Sequence, residues 1–164
     1  MNTITIRPAT TVDVPLLLQL IQELAAFVRE PHAVRATETL LRESLFGPRS
    51  YAEALIASLD GEPCGMAVFF HNFSTWTGRP GLYLEDLYVT PAARGAGVGK
   101  ALMTHLAALA RERECARFEW SVLAWNTPAA AFYQQLGAQQ VNDVILTRLD
   151  GPALERLAVN ERWT

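Results

Sequence analysis

The sequence predicts an α/β (α+β) fold, a mixed central β-sheet flanked by helices, in the order β-α-α-β-β-β-α-β-α-β. Three observations carry that expectation. Apolar residues recur with period two in some segments and with period 3.6 in others. Three strand-like runs in the middle follow one another through short turns, as in an antiparallel meander. The second half alternates strand and helix, the pattern of crossovers that pair strands in parallel. With 164 residues and no repeat or low-complexity linker, the chain reads as a single domain over 1–164.

Residues 3–7 alternate as a short strand. Thr10, Thr11, Asp13 and Pro15 suit a helix start, and Leu16, Leu17, Leu20, Ile21, Leu24 and Phe27 then recur at helical spacing. A shorter helix over 38–46 stops at Gly47-Pro48. Residues 51–58, 65–72 and 82–89 read as strands, with Asp60-Gly61 turning between the first two. Over 97–111, Val98, Leu102, Leu106 and Leu109 share one face of a helix about four turns long. Residues 118–123 read as a strand and 126–136 as a helix, with Pro128 in its first turn and Gly137 past its end. A closing strand is expected over 141–149.

Composition narrows the function. Half of the residues are hydrophobic and 19% are charged, which excludes a disordered chain. No apolar run approaches the roughly 18 to 20 residues that span a bilayer. No leader pattern opens the chain, so a cytoplasmic protein is expected. Cys64 and Cys115 make no disulfide framework, and three scattered histidines make no zinc pattern, so no metal is expected. A net charge of −3 argues against a nucleic-acid partner.

The segment Val89-Thr90-Pro91-Ala92-Ala93-Arg94-Gly95-Ala96-Gly97-Val98-Gly99-Lys100 joins a strand to the long helix. Its glycines let backbone N–H groups converge on an anion, and the helix N-terminus adds unsatisfied donors and partial positive charge. Arg94 can fork onto phosphate oxygens, and Lys100, the one lysine among 14 basic residues, adds a point charge. The spacing excludes other phosphate loops. Arg94 stands where a Walker loop needs glycine and Ala101 where it needs a hydroxyl, and the G-x-G-x-G run lacks the dinucleotide spacing.

Arg94-x-x-Gly97-x-Gly99 between a strand and a long helix resembles the acetyl-CoA pyrophosphate loop of the GNAT N-acetyltransferases. Further segments are similar to the diamine (spermidine/spermine) acetyltransferase branch: Ile6-Arg7-Pro8-Ala9-Thr10, Gln22-Glu23-Leu24-Ala25, Tyr83-Leu84-Glu85-Asp86, and Trp125-Asn126 with Phe132-Tyr133. Ser74-Thr75-Trp76-x-Gly78-Arg79 is most similar to the thialysine-acetylating type. The resemblance implies a GNAT fold, acetyl-CoA as co-substrate, a small primary amine as acceptor, and a homodimer.

It also implies roles. Glu85 is the expected general base; alternation places it with Tyr83, Leu87 and Val89, opposite Asp86, where apolar neighbours raise its pKa. Tyr133 is the expected acid that protonates the departing thiolate. Leu87, Tyr88 and Val89 correspond to the backbone that pairs with pantetheine and donates to the thioester carbonyl. Arg94, Gly95, Ala96, Gly97, Val98, Gly99 and Lys100 would hold the pyrophosphate, and Asn126 and Ala129 the pantetheine arm together with Tyr133. Phe27, Val28, Trp76 and Glu119, with Glu85, are candidates for amine contact, and Glu23 and Glu30 for charge complementarity. The chain reads Ala26-Phe27-Val28-Arg29 where polyamine enzymes carry tyrosine and acids, so a shorter amine, such as thialysine, lysine or a diamine, is favoured. A non-catalytic acyl-CoA-binding module and a protein or peptide acetyltransferase are the alternatives.

Overall fold

The computed structural model describes residues 2–159. They form two compact units, one running through Ser121 and one beginning at Val122.

The first unit contains β1 (Ile4–Pro8), α1 (Val14–Phe27), α2 (Glu38–Phe46), β2 (Glu53–Leu59), β3 (Glu62–Ser74), β4 (Arg79–Val89), α3 (Val98–Glu112) and β5 (Arg117–Trp120). The strands form one sheet in the order β1-β2-β3-β4-β5. Neighbours pair antiparallel except β4 and β5, which are parallel, so the sheet is mixed as expected. Asp60 and Gly61 hold φ of 52° and 88°, the left-handed pair that a two-residue hairpin turn requires. Thr37 Oγ1 accepts from Leu40 N at 3.2 Å and caps α2.

Alternation sends side chains to both faces of the sheet. On one face Ala54, Ile56, Met66 and Tyr88 pack with Leu17 and Leu20 of α1. On the other, Leu55, Ala57, Ala67, Phe69, Leu82 and Leu84 are buried on the side taken by α3, whose Val98, Leu102, Met103 and Leu106 are buried too. Entry to α1 is fixed by Asp13, which takes both Arg7 Nη atoms at 2.7 Å and Thr10 N at 2.7 Å. The Arg7 guanidinium holds the Asp13 carboxyl down at about 2.

The second unit contains α4 (Thr127–Gln135) and α5 (Gly151–Val159). The strand expected over 141–149 is not formed. Val144, Ile145 and Leu146 are 72%, 86% and 79% exposed. A strand needs a neighbour for its N–H and C=O groups, and among the described residues this unit contains no other strand. α5, which the sequence reading does not foresee, runs through Pro152 near its start and then the strong helix formers Ala153, Leu154, Glu155 and Arg156.

Candidate active site

β4 is irregular at its middle. Phe69 of β3 pairs with Leu84 and Val68 with Asp86, so Glu85 is an extra residue with no partner across the ladder, a β-bulge. The bulge shifts the alternation by one. Leu87 and Val89 continue the face of Leu82 and Leu84, whereas Asp86 and Tyr88 continue the face of Tyr83. The expected grouping of Glu85 with Tyr83, Leu87 and Val89 therefore does not hold.

The electrostatics change with it. Glu85 is exposed, while Asp86 lies on the α1 side of the sheet. Burial first, and the neighbouring Glu85 charge second, push the Asp86 carboxyl up to about 6. The desolvated carboxylate is thus Asp86, not Glu85. The aliphatic positions hold a signal for this: they are even at Leu82 and Leu84 and odd at Leu87 and Val89, a phase slip that marks the bulge.

The bulge also divides the outer edge of β4. Residues 81–84 pair with residues 117–120 of β5, and beyond Leu84 that edge has no strand partner among the described residues. Residues 85–89 therefore present backbone donors and acceptors to an incoming extended group.

β4 leads into the glycine-rich turn. Gly95 and Gly97 hold φ of 80° and 89°, which L side chains adopt only with strain, and Gly97 caps α3. The first intrahelical bond of α3 runs from Ala101 N to Gly97 O at 2.9 Å. The N–H groups of Val98, Gly99 and Lys100 have no earlier carbonyl of the helix to bond. Val98 and Tyr88 are buried, so each offers its backbone and not its side chain. Lys100 is exposed at the first turn. This donor set, with Arg94 beside it, fits an anionic ligand such as a pyrophosphate.

Arg94 is already positioned. Its guanidinium carbon lies 4.7 Å from the centroid of the Phe27 ring and 5.8 Å from that of Tyr88, and Nε donates to Val89 O at 3.1 Å. Phe27 and the half-buried Val28 end α1, so the structure brings these two predicted residues to the side of the turn.

Other predicted residues are dispersed. Glu119 pairs in register with Tyr83, which places it on the face of Asp86, and it lies 4.0 Å from Arg117. Glu30 is exposed beyond α1, and Glu23 faces the Tyr88 phenol. Trp76 is 95% exposed at the tip of the β3–β4 hairpin. Six residues of strand, about 20 Å, separate that tip from Glu85, so Trp76 does not join Glu85 in this chain. In the second unit, Asn126 Oδ1 accepts from Ala129 N at 3.3 Å and caps α4. Tyr133 lies farther along the same helix, and burial raises its phenol above the ordinary value, keeping it a proton donor at neutral pH.

Comparisons with known proteins bear on this geometry. The family model described as "Acetyltransferase (GNAT) family" matches residues 17–138, from α1 through the turn after α4. The thialysine N-epsilon-acetyltransferase of Mus musculus is 34% identical, with 93% of this chain and 96% of that protein covered. The L-ornithine N5-acetyltransferase of Arabidopsis thaliana is 29% identical over 93% of this chain and 86% of its own. Among solved structures, an integron cassette protein from the mobile metagenome of V. cholerae is similar at a TM-score of 0.80 and 28% identity, covering 94% of this chain and 97% of that one. The family model and the similar proteins agree: the chain belongs to the GNAT acetyltransferase family and is an N-acetyltransferase that uses acetyl-CoA as co-substrate.

Proposed function

We propose that this chain acetylates a primary amine of a small cationic molecule, of the size of thialysine, lysine, ornithine or a diamine, by direct attack on acetyl-CoA with both substrates bound. The observation that carries the reading is the open half of β4, where an unpaired edge, two carboxylates and the glycine-rich turn follow one another within residues 85–100. The names of the similar enzymes, which act on thialysine and L-ornithine, support a short amine. Asp86 and Glu119 share one face of the sheet and supply negative charge for a cation.

Acetyl transfer needs a neutral amine, a polarised carbonyl and a proton for the thiolate. Glu85, exposed at the bulge, accepts the ammonium proton directly or through water, and Asp86 beside it strengthens the local negative potential. The backbone of residues 87–89 binds the pantetheine arm and donates to the carbonyl oxygen. Arg94, the N–H groups of residues 95–99 and Lys100 hold the pyrophosphate. Asn126 and Ala129 contact the pantetheine arm, and Tyr133, kept protonated, gives its proton to sulfur. The bond formed is amine nitrogen to acetyl carbon; the bond broken is carbon to sulfur.

A single catalytic domain over both units, a cytoplasmic location and a homodimer belong to the same reading. The family model runs from the first unit into the second as far as residue 138, the described cysteines are free thiols, and the exposed apolar segment 141–149 offers surface for a second copy.

Thiol release from acetyl-CoA, measured over a panel of lysine, thialysine, ornithine, diamines, spermidine and an amino-terminal peptide, tests the proposal. Turnover is expected to be fastest with the short diamines and diamino acids. Fastest turnover with the peptide, or equal rates with spermidine and ornithine, overturns the substrate assignment.

A further inference from the structure

Arg94 is the one cation of the turn whose side chain is held by rings. One ring, Phe27, belongs to α1, and the other, Tyr88, to β4. Glu23 stands one helical turn before Phe27 on α1, and its carboxylate faces the Tyr88 phenol, which is also influenced by Arg94. Nε is tied to Val89 O at 3.1 Å. An arginine side chain otherwise samples many rotamers and loses that freedom when it binds. The guanidinium carbon lies over the Phe27 ring and the Tyr88 phenol also interacts with the guanidinium, which fixes the group, while the Nη donors that the phenol does not take can fork onto phosphate oxygens. Arg94 is itself exposed, so an anion can reach it.

We infer that Phe27 and Tyr88 form a seat that pre-orients Arg94, so that the end of α1 sets acetyl-CoA affinity through a residue that touches no part of the co-substrate. The inference rests on the pyrophosphate role given to Arg94 above. It makes Phe27 a positioning residue for the co-substrate and takes it out of the amine site.

Phe27 is 44% exposed, so its replacement leaves the core intact. The test measures equilibrium binding of two ligands, acetyl-CoA and S-acetylpantetheine, which lacks the pyrophosphate, to the full chain. Phe27→Leu removes the ring face and keeps the bulk; it is expected to weaken acetyl-CoA about three- to fivefold, the size of a partly exposed cation–π contact, and to leave S-acetylpantetheine unchanged. Phe27→Tyr restores the ring and the affinity. In an Arg94→Gln background, Phe27→Leu adds no further loss. The seat is refuted by wild-type acetyl-CoA affinity in Phe27→Leu, by an equal loss for S-acetylpantetheine, or by the same loss in the Arg94→Gln background. Arg94→Gln binding acetyl-CoA as tightly as wild type refutes the pyrophosphate assignment and the seat together. Weakened binding in Arg94→Gln with none in Phe27→Leu refutes the seat alone.

Discussion

The two halves of β4 contrast sharply. Residues 81–84 are paired on both sides, and Leu82 and Leu84 are buried at 0% and 2% exposure. Residues 85–89 follow the bulge, lose the β5 partner and carry two acids within the first two positions. The first half satisfies its backbone inside the sheet and so contributes to stability. The second keeps its β3 partner but leaves its outer edge without a strand partner among the described residues and carries two carboxylates, the arrangement that the proposed binding and proton transfer use. Bulges serve this purpose because one extra residue ends pairing without ending the strand.

The largest effect expected from this contrast is in the paired half. Leu82→Ala removes a fully buried side chain and is expected to cost about 3 kcal/mol of folding stability with kcat per folded molecule unchanged, as chemical denaturation beside single-point rates will show. Glu85→Gln, in the open half, reverses the pattern: kcat/KM falls about 100-fold while Tm stays within about 1 °C. Loss of stability with full activity in Glu85→Gln would erase the distinction.

Two carboxylates, the buried Asp13 and the half-buried Asp86, sharpen it further. Asp13 has a cation and Asp86 has a like charge beside it. The depressed Asp13 contributes stability that is complete above about pH 4 and is lost as pH falls through about 2. Asp13→Asn is expected to cost about 1–2 kcal/mol at neutral pH, discounted because Arg7 is half exposed, and the deficit shrinks in acid. The raised Asp86 has the opposite sign: its contribution is full below about pH 4 and is lost as pH rises through about 6. Asp86→Asn is therefore expected to be more stable than wild type by about 1 kcal/mol above pH 6 and equal to it near pH 4. Denaturation midpoints across that range check both signs.

The smallest effect is on titration. Removing the Glu85 charge lowers the Asp86 pKa from its value of about 6, so the carbon chemical shift of the Asp86 carboxyl should titrate at lower pH in Glu85→Gln. An unchanged midpoint separates the two carboxylates electrostatically.

Much of the first unit is legible from spacing alone. Its helices and strands follow period 3.6 and period two, and the Asp60-Gly61 hairpin and the Gly97 cap follow from residues whose conformational needs are local. The glycine-rich turn is legible for the same reason, since Arg94, Gly95, Gly97 and Lys100 act within seven residues. Asp86 is not. Strict alternation misassigns it, although the shift from Leu82 and Leu84 to Leu87 and Val89 records the slip. Residues 141–149 fail in the converse way: Val144-Ile145-Leu146 has strand propensity, but propensity does not supply a hydrogen-bonding neighbour.

The sequence by itself determined the element types of the sheet unit, the glycine-rich turn and the family they belong to, because each depends on residues close together in the chain. Tertiary structure alone decided how far the Asp86 carboxyl is desolvated, that Trp76 stands a hairpin's length from Glu85, and that Arg94 rests on Phe27. Those properties depend on burial and on contacts between residues as distant as 27 and 94, which no local spacing encodes.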